Sequence, residues 1–160
     1  MDFYFIDHEA TLDDIKNFKY PNQKIGVIVH IENEDGEILL QQRGIKSNDE
    51  NGLYEDIGGK LEIDDHTFKD AIEREIKEET GEDINLKIGN SIGIFHCYKN
   101  NINWIFIIYP AKYIGGDIKI MEPDKCTGYK FFTYANVMNS DLVTESCKFI
   151  TEKLSKNTIA

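Results

Sequence analysis

Residues 58–82 read GGKLEIDDHTFKDAIEREIKEETGE, and the second half of this stretch forms a helix that carries carboxylates where apolar residues belong. Thr67 is an N-cap residue with Asp70 three positions on, a shortened capping box. Gly81 falls where helices commonly end in a left-handed residue. The pattern predicts a helix over Phe68–Thr80. At about 100° per residue, Phe68, Ala71, Ile72 and Ile76 form one apolar stripe, with Lys69, Asp70, Glu73, Arg74 and Lys77 on the other side. Glu75 and Glu79 project within the stripe and Glu78 lies at its edge. The i, i+3, i+4 spacing therefore brings three carboxylates within reach of one point. Three like charges turned toward a core repel one another and lose hydration, which costs roughly several kcal/mol unless cations neutralise them. Hard divalent cations bound by oxygen ligands do so. The alternative is an ordinary charged surface helix, but the phase of the stripe counts against it. The Gly58-Gly59 pair upstream also lets the backbone approach a ligand or a helix closely.

The run R-E-I-K-E-E-T-G at residues 74–81, with Gly59 before it, resembles the signature of the Nudix hydrolases: a glycine followed downstream by R-E-(apolar)-x-E-E-x-G. The resemblance extends to LLQQRG at residues 39–44 and EPDKCTGY at residues 122–129, and so covers about residues 22–140. It implies an α+β fold of the Nudix α/β/α sandwich type, with a central mixed β-sheet between helices. It also implies hydrolysis of a nucleoside diphosphate linked to another group. Carried over position by position, Glu75, Glu78 and Glu79 would be Mg²⁺ or Mn²⁺ ligands, with the Gly59 carbonyl as a further ligand and Arg74 orienting the glutamates. The sequence departs from the pattern at two places. Asp65 stands where the family has a glutamate, and the spacing from Gly59 to Arg74 is one residue longer, so Asp64, Asp65 and His66 are the candidates for the missing glutamate's supporting role. Glu82 follows Gly81 where an apolar residue is usual, with Ile84 to fill that place.

Composition bounds the rest. At 160 residues, 41% hydrophobic and 29% charged, the chain reads as one soluble domain. Residues 1–21 are an N-terminal extension to it, and residues 141–160 a terminal helix and tail. No apolar run reaches membrane-spanning length, and the start MDFYFIDHEA lacks the basic and apolar regions of a signal peptide. A cytoplasmic protein without a membrane partner is the expectation. Cys97, Cys126 and Cys147 are odd in number and far apart, and read as reduced thiols or core fillers. With 18 basic against 29 acidic residues the net charge is −11, which argues against broad nucleic-acid binding. A small phosphorylated substrate remains compatible, because metals and a few local cations can invert the field inside a pocket.

Along the chain, residues 1–20 offer either a short helix through Leu12, Ile15 and Phe18 or an edge strand through residues 3–5. Residues 24–31 and 38–42 form a hairpin around Asp35-Gly36. His30, alone in the first of these strands, reads as packed or solvated. Arg43 ends the second strand, where the family commonly turns an arginine to the site, so it is a candidate phosphate contact beside the reading of a plain surface arginine. Lys60, after the short strand 54–57 and the glycine pair, is another. Residues 85–98 and 102–113 read as two long antiparallel strands joined at 99–101, with 115–116 a turn and 117–121 a short strand. Trp104 and Phe106 read as core, with base stacking as the alternative. The 122–129 loop resembles the one that precedes the last core strand in many Nudix enzymes, which makes Glu122 and Asp124 candidates to reach the metals or act as base, with two acids that merely cap a solvent loop as the alternative. Thr127 stands where an acid often occurs, and Tyr129 offers a base-stacking face. A final strand follows over 129–134, then a helical turn over 136–139 and a terminal helix over 141–154, with residues 155–160 expected to fray.

The reading that results is a metal-dependent pyrophosphohydrolase acting on a small nucleotide, with a nucleoside triphosphate or modified dNTP as first choice and a nucleoside monophosphate as product. ADP-ribose and other nucleotide sugars, dinucleotide polyphosphates and capped RNA stay open. A non-catalytic nucleotide-sensing module is the alternative from another class. Dimers are frequent in the family, so a homodimer is part of what the resemblance implies.

Overall fold

In the computed structural model, which describes residues 1–47 and 49–159 and the side chains up to residue 156, the elements follow in chain order. They are β1 (Asp2–Phe5), a 3-10 turn (Leu12–Ile15), β2 (Gln23–Glu32), β3 (Ile38–Arg43), β4 (Tyr54–Glu55), β5 (Ile57–Lys60), α1 (Phe68–Thr80), β6 (Ile84–Ile88), β7 (Gly93–Lys99), β8 (Ile102–Gly116), β9 (Cys126–Phe132), α2 (Tyr134–Asn139) and α3 (Glu145–Ile159). Strand β2 is the axis. It pairs parallel with β8 along its whole length, from Gln23↔Asn103 to Glu32↔Lys112, and antiparallel with β5. It is covered on both faces, which is why its sequence is nearly continuously apolar rather than alternating. The described strands form one mixed sheet in the order β1-β7-β8-β2-β3-β4, with β5 on β2, β6 on β8 and β9 on β3.

Helix α1 buries Phe68, Ala71, Ile72 and Ile76 on one face of the sheet, against Val27, Val29, Ile57 and Ile105. A buried side chain such as Ile72 stabilises the fold by about 1.5–3 kcal/mol. On the other face, Ile150 and Leu154 of α3 pack on Phe95 and Ile108, while Cys147 closes a second cluster with Leu40, Phe132 and Val137. The expected sandwich, a mixed sheet between helices, is what the chain forms.

Helix α1 starts and stops at the expected residues. The Thr67 hydroxyl accepts the Asp70 N–H at 3.0 Å, and Gly81, at φ 87°, donates its N–H to the Lys77 carbonyl. Elsewhere long-range pairing changes the expected pieces. The hairpin of β2 and β3 is paired only at Ile31↔Leu39 and Glu32↔Ile38, because β3 turns away to pair with β4 and β9. The long strand expected over 85–98 is two strands, β6 and β7, that both pair with β8. Asn100 and Asn101 make the turn into β8 in the left-handed region, at φ 52° and 63°. Gly115 and Gly116 are the end of β8 rather than a turn, and residues 117–121 form no strand but cover the end of α1, with the Lys119 N–H on the Thr80 carbonyl. The two readings of residues 1–20 coexist, since β1 pairs with β7 and the 3-10 turn follows. The terminal helix begins later than expected. Residues 141–144 instead carry the Thr144 N–H to the Tyr54 carbonyl, and the helix continues through Ile159; Ala160, the end of the tail expected to fray, lies outside the described residues.

Candidate active site

The carboxylate helix lies beside the glycine pair because β5 holds that pair on β2, at Val27↔Gly59 and Ile28↔Gly58. A Cβ on Gly59 would stand 2.3 Å from Glu75 Oε1, so only glycine lets the strand and the carboxylate meet. Glu75 is buried, Glu79 half-buried and Glu78 exposed, in the order that the phase of the stripe predicts.

Arg74 organises the near end of this helix. Its Nε and one terminal nitrogen donate to the two oxygens of Asp65 at 2.9 and 2.7 Å, a bidentate pair, and that nitrogen also reaches the Lys60 carbonyl at 3.1 Å. The other terminal nitrogen donates to Glu75 at 2.9 Å and Glu78 at 3.2 Å. Asp65 thus takes the supporting place for which Asp64 and His66 were the other candidates. The longer loop accommodates the shorter acid. The Arg74 hydrogen bonds hold the Asp65 carboxyl below its ordinary range.

Glu79 has the opposite surroundings. Its Oε2 is buried without a hydrogen-bond partner. Burial, then the Glu75 and Glu55 carboxylates, push its carboxyl well above the ordinary range. It forms part of a cleft of ≈330 Å³ with Arg43, Lys46, Glu55, Glu122 and Lys125. Two backbone hydrogen bonds zip one lip of this cleft together, Gly44 N–H to the Lys125 carbonyl at 2.8 Å and Lys46 N–H to the Asp124 carbonyl at 3.1 Å. Lys46 pairs with Asp124 at 3.0 Å, and Lys125 with Glu122 at 3.1 Å.

The structure places the remaining candidates as follows. Glu122 lines the cleft, while Asp124 is engaged with Lys46 and Thr127 donates to Gln42 at 3.0 Å. Arg43 reaches the cleft wall, but its guanidinium is engaged with Glu55 at 2.8 Å and with the side chain and carbonyl of Asp49. Lys60 is exposed and lines a neighbouring pocket. Tyr129 turns inward: its ring packs on the main core and its hydroxyl donates to the Glu79 carbonyl, so it anchors the end of α1 instead of offering a free stacking face. His30 is buried, as one reading expected, with Nδ1 3.1 Å from Asp56 Oδ1. The three cysteines are buried and free. Sequence reasoning passed over Glu55, Lys46 and Lys125. Glu55 had a signal, an acid in a strand next to the glycine pair; the lysines had none short of the contact between their two loops.

Among the described residues no three acidic, histidine or cysteine side chains already converge as a closed metal cage, since Arg74 draws Glu75 and Glu78 toward itself. The donors nevertheless suit a hard cation. They are carboxylates, one with an unpartnered buried oxygen, beside a carbonyl-bearing strand cleared by Gly59. No described helix is long and apolar enough to cross a membrane.

A family model described as the NUDIX domain matches residues 22–152. Among solved structures, the MutT protein from Methanosarcina mazei Go1 has a TM-score of 0.77 at 22% identity, over 89% of this chain and 100% of its own. A MutT NUDIX hydrolase from Burkholderia pseudomallei has a TM-score of 0.64 at 25% identity, over 82% and 98%. The NUDIX domain of Shewanella oneidensis NrtR, complexed with ADP ribose, has a TM-score of 0.67 at 15% identity, over 93% and 99%. No curated protein matches the chain. The family match begins one residue before β2 and runs into α3, taking in both faces of the sheet and the carboxylate helix between them, and the chain therefore belongs to the Nudix family of pyrophosphohydrolases, which act on nucleoside diphosphate derivatives and generally use divalent metal ions.

Proposed function

We propose that the cleft hydrolyses the pyrophosphate bond of a nucleoside triphosphate or modified nucleotide and releases a nucleoside monophosphate. The observation that carries this reading is the Glu79 carboxylate, one of whose oxygens is buried and unpartnered at a cleft that two lysines also line. Such an arrangement is unfavourable in the free protein and becomes favourable when cations and a polyanionic substrate fill the cleft. Glu75, Glu78, Glu79 and the Gly59 carbonyl would hold Mg²⁺ or Mn²⁺. Bound there, the metal supplies charge neutralisation on diphosphate oxygens and lowers the pKa of water.

The chain's own residues do the rest. Arg74 keeps Glu75 and Glu78 in place and turns them toward one side of the helix. Lys46 and Lys125 exchange their acid partners for phosphate oxygens, and Glu122, released from Lys125 at the cleft wall, takes the proton of the attacking water. Asp124 is less suited to that role, since it stands outside the cleft lining. Arg43 supports phosphate binding indirectly by fixing Glu55 and the backbone of residue 49.

The experiment is monophosphate or phosphate release from a panel of dNTPs, ADP-ribose, diadenosine polyphosphates and capped RNA, with Mg²⁺, with Mn²⁺ and with chelator. Metal-dependent turnover is expected, greatest for a nucleoside triphosphate. Release that chelator leaves unchanged would overturn the metal site. Nucleotide binding without release of any kind would reassign the chain as a sensing module.

A further inference from the structure

A cavity of ≈450 Å³ lies on the α3 face of the sheet and shares no lining residue with the cleft. Its frame is three neighbouring strands. In one row His30 of β2 stands beside Pro110 of β8, whose carbonyl accepts the N–H of Gly89, just past β6, at 2.9 Å. In the next row Glu32 stands beside Lys112, and Lys112 beside Lys87 of β6. Ile92 and Leu154 of the α3-face cluster close the apolar side together with Pro110. The volume falls within the about 300–1,000 Å³ of small-molecule sites, and the lining has their character, apolar walls with a few convergent polar groups.

Folding accounts for neither of two features of this cavity. His30 is only 5% exposed, and its ring is fixed by Nδ1 on Asp56 Oδ1. A carboxylate accepts, so Nδ1 carries the proton of that bond and Nε2 is the free end of the ring. Glu32 Oε1 stands 3.9 Å from Nε2, beyond hydrogen-bond reach. Among the described residues only Asp56 Oδ2 and Glu79 Oε2 are sealed from solvent without a partner, so the equally unpartnered Nε2 keeps contact with the cavity that the residue lines. Burial works against charge on the ring. The Asp56 carboxylate, its hydrogen bond and Glu32 outweigh burial and the opposing charge of Lys112, and hold the imidazole pKa above its ordinary 6.5. Nε2 is then an N–H donor with nothing to donate to. The second feature is at the mouth. Lys87 and Lys112 face each other across an antiparallel pair, which like charges disfavour. Glu32 neutralises Lys112 at 3.2 Å, and among the described residues no acid pairs with Lys87. A chain of net charge −11 thus keeps a local positive site where an apolar cavity opens.

We propose that this cavity binds a small apolar carboxylate, with its tail against Ile92, Pro110 and Leu154 and its head on His30 Nε2, drawn in by Lys87. An amine of the same shape would meet charges of its own sign. An alcohol would keep the tail contacts but lose the ionic attraction. Asp56 is a positioning residue here, since it fixes the ring and touches no ligand. The site is independent of the hydrolytic reading and stands or falls without it.

The test uses the full chain in EDTA and needs no turnover. Octanoate is titrated by calorimetry beside octanol, octylamine and acetate, and the His30 ring nitrogens are followed by ¹H–¹⁵N correlation. Saturable binding of octanoate is expected, about tenfold tighter than octanol, the effect of one hydrogen bond between charged groups. Octylamine and acetate should not saturate, and octanoate should shift the Nε2 resonance. His30→Gln should weaken octanoate about tenfold and leave octanol unchanged. Lys87→Glu, at an exposed position, should weaken it about threefold. No binding of octanoate, binding no tighter than that of octanol, or tighter binding of octylamine overturns the proposal. Octanoate that binds with Nε2 unmoved sits elsewhere on the surface and overturns the site, which decides the matter even if His30→Gln fails to fold.

Discussion

Arg74 places its guanidinium on Asp65, Glu75, Glu78 and the Lys60 carbonyl, whereas Glu79, five residues further along α1, keeps a buried carboxylate oxygen with no partner. One helix thus carries a region in which every donor is matched and a region left unmatched. The first is built to be stable in the free protein. The second holds a desolvated charge beside other carboxylates, which bound cations would relieve. Folding and function make different demands on the two ends, and the Nudix helix separates them by little more than a turn.

The sharpest way to break this contrast is Glu79→Gln. It removes the charge of a proposed metal ligand from the unmatched region, so turnover should fall about 10³-fold, as losses of directly acting charged groups do. Thermal melting in chelator should not fall, because the substitution also removes a like-charge repulsion. Wild-type turnover, or an unfolded variant, would show that Glu79 belongs with the structural region after all.

Asp65→Asn attacks the matched region. Arg74 would lose its bidentate partner and turn from Glu75 and Glu78, lowering turnover about 10–100-fold through an orienting group. Stability should also drop, by about 1–3 kcal/mol. The pH dependence of stability separates the regions further. The folded-state pKa of Asp65 lies below the ordinary 3.8, so its contribution is present above that value and is lost as pH falls through the depressed pKa. That of Glu79 lies well above the ordinary 4.5, so its contribution is present below that value and is lost as pH rises through the elevated pKa. Urea denaturation in chelator across acid to neutral pH should show the second loss. Glu79→Gln should remove it, and Asp65→Asn should leave it.

The smallest effect is expected from Tyr129→Phe, which deletes the hydroxyl that holds the Glu79 carbonyl. Stability should fall by about 1 kcal/mol with an unchanged KM. A rise in KM would return Tyr129 to the substrate and weaken the division between the two ends of α1.

Much of the carboxylate helix, both of its regions included, was legible in the sequence, because its logic is local. The Thr67 cap, the stop at Gly81 and the spacing of Glu75, Glu78 and Glu79 all lie within one helix, and the phase of its stripe decides which acids face inward. What escaped reading depends on strands far apart in sequence. His30 meets Asp56 only because β5 pairs with β2, and Trp104 gains an open face only because β7, β8 and α3 enclose the pocket that Lys60 lines. The inward turn of Tyr129 has the same origin: which way an aromatic turns in β9 depends on its partner β3 and on the end of α1. A chain read alone gives periodicity; it does not give the neighbour across the sheet.

The parallel pairing of β2 with β8 joins residues eighty positions apart, Gln23 with Asn103 and every pair after it. Contacts of that separation form slowly, since a long loop must close before they are rewarded. During synthesis, a ribosome that has released all of α1 has made every acid of the trio, but β8 has yet to emerge and β2 still lacks its parallel partner. The catalytic geometry is therefore a late product of biosynthesis, completed only when β8 settles beside a strand translated long before it.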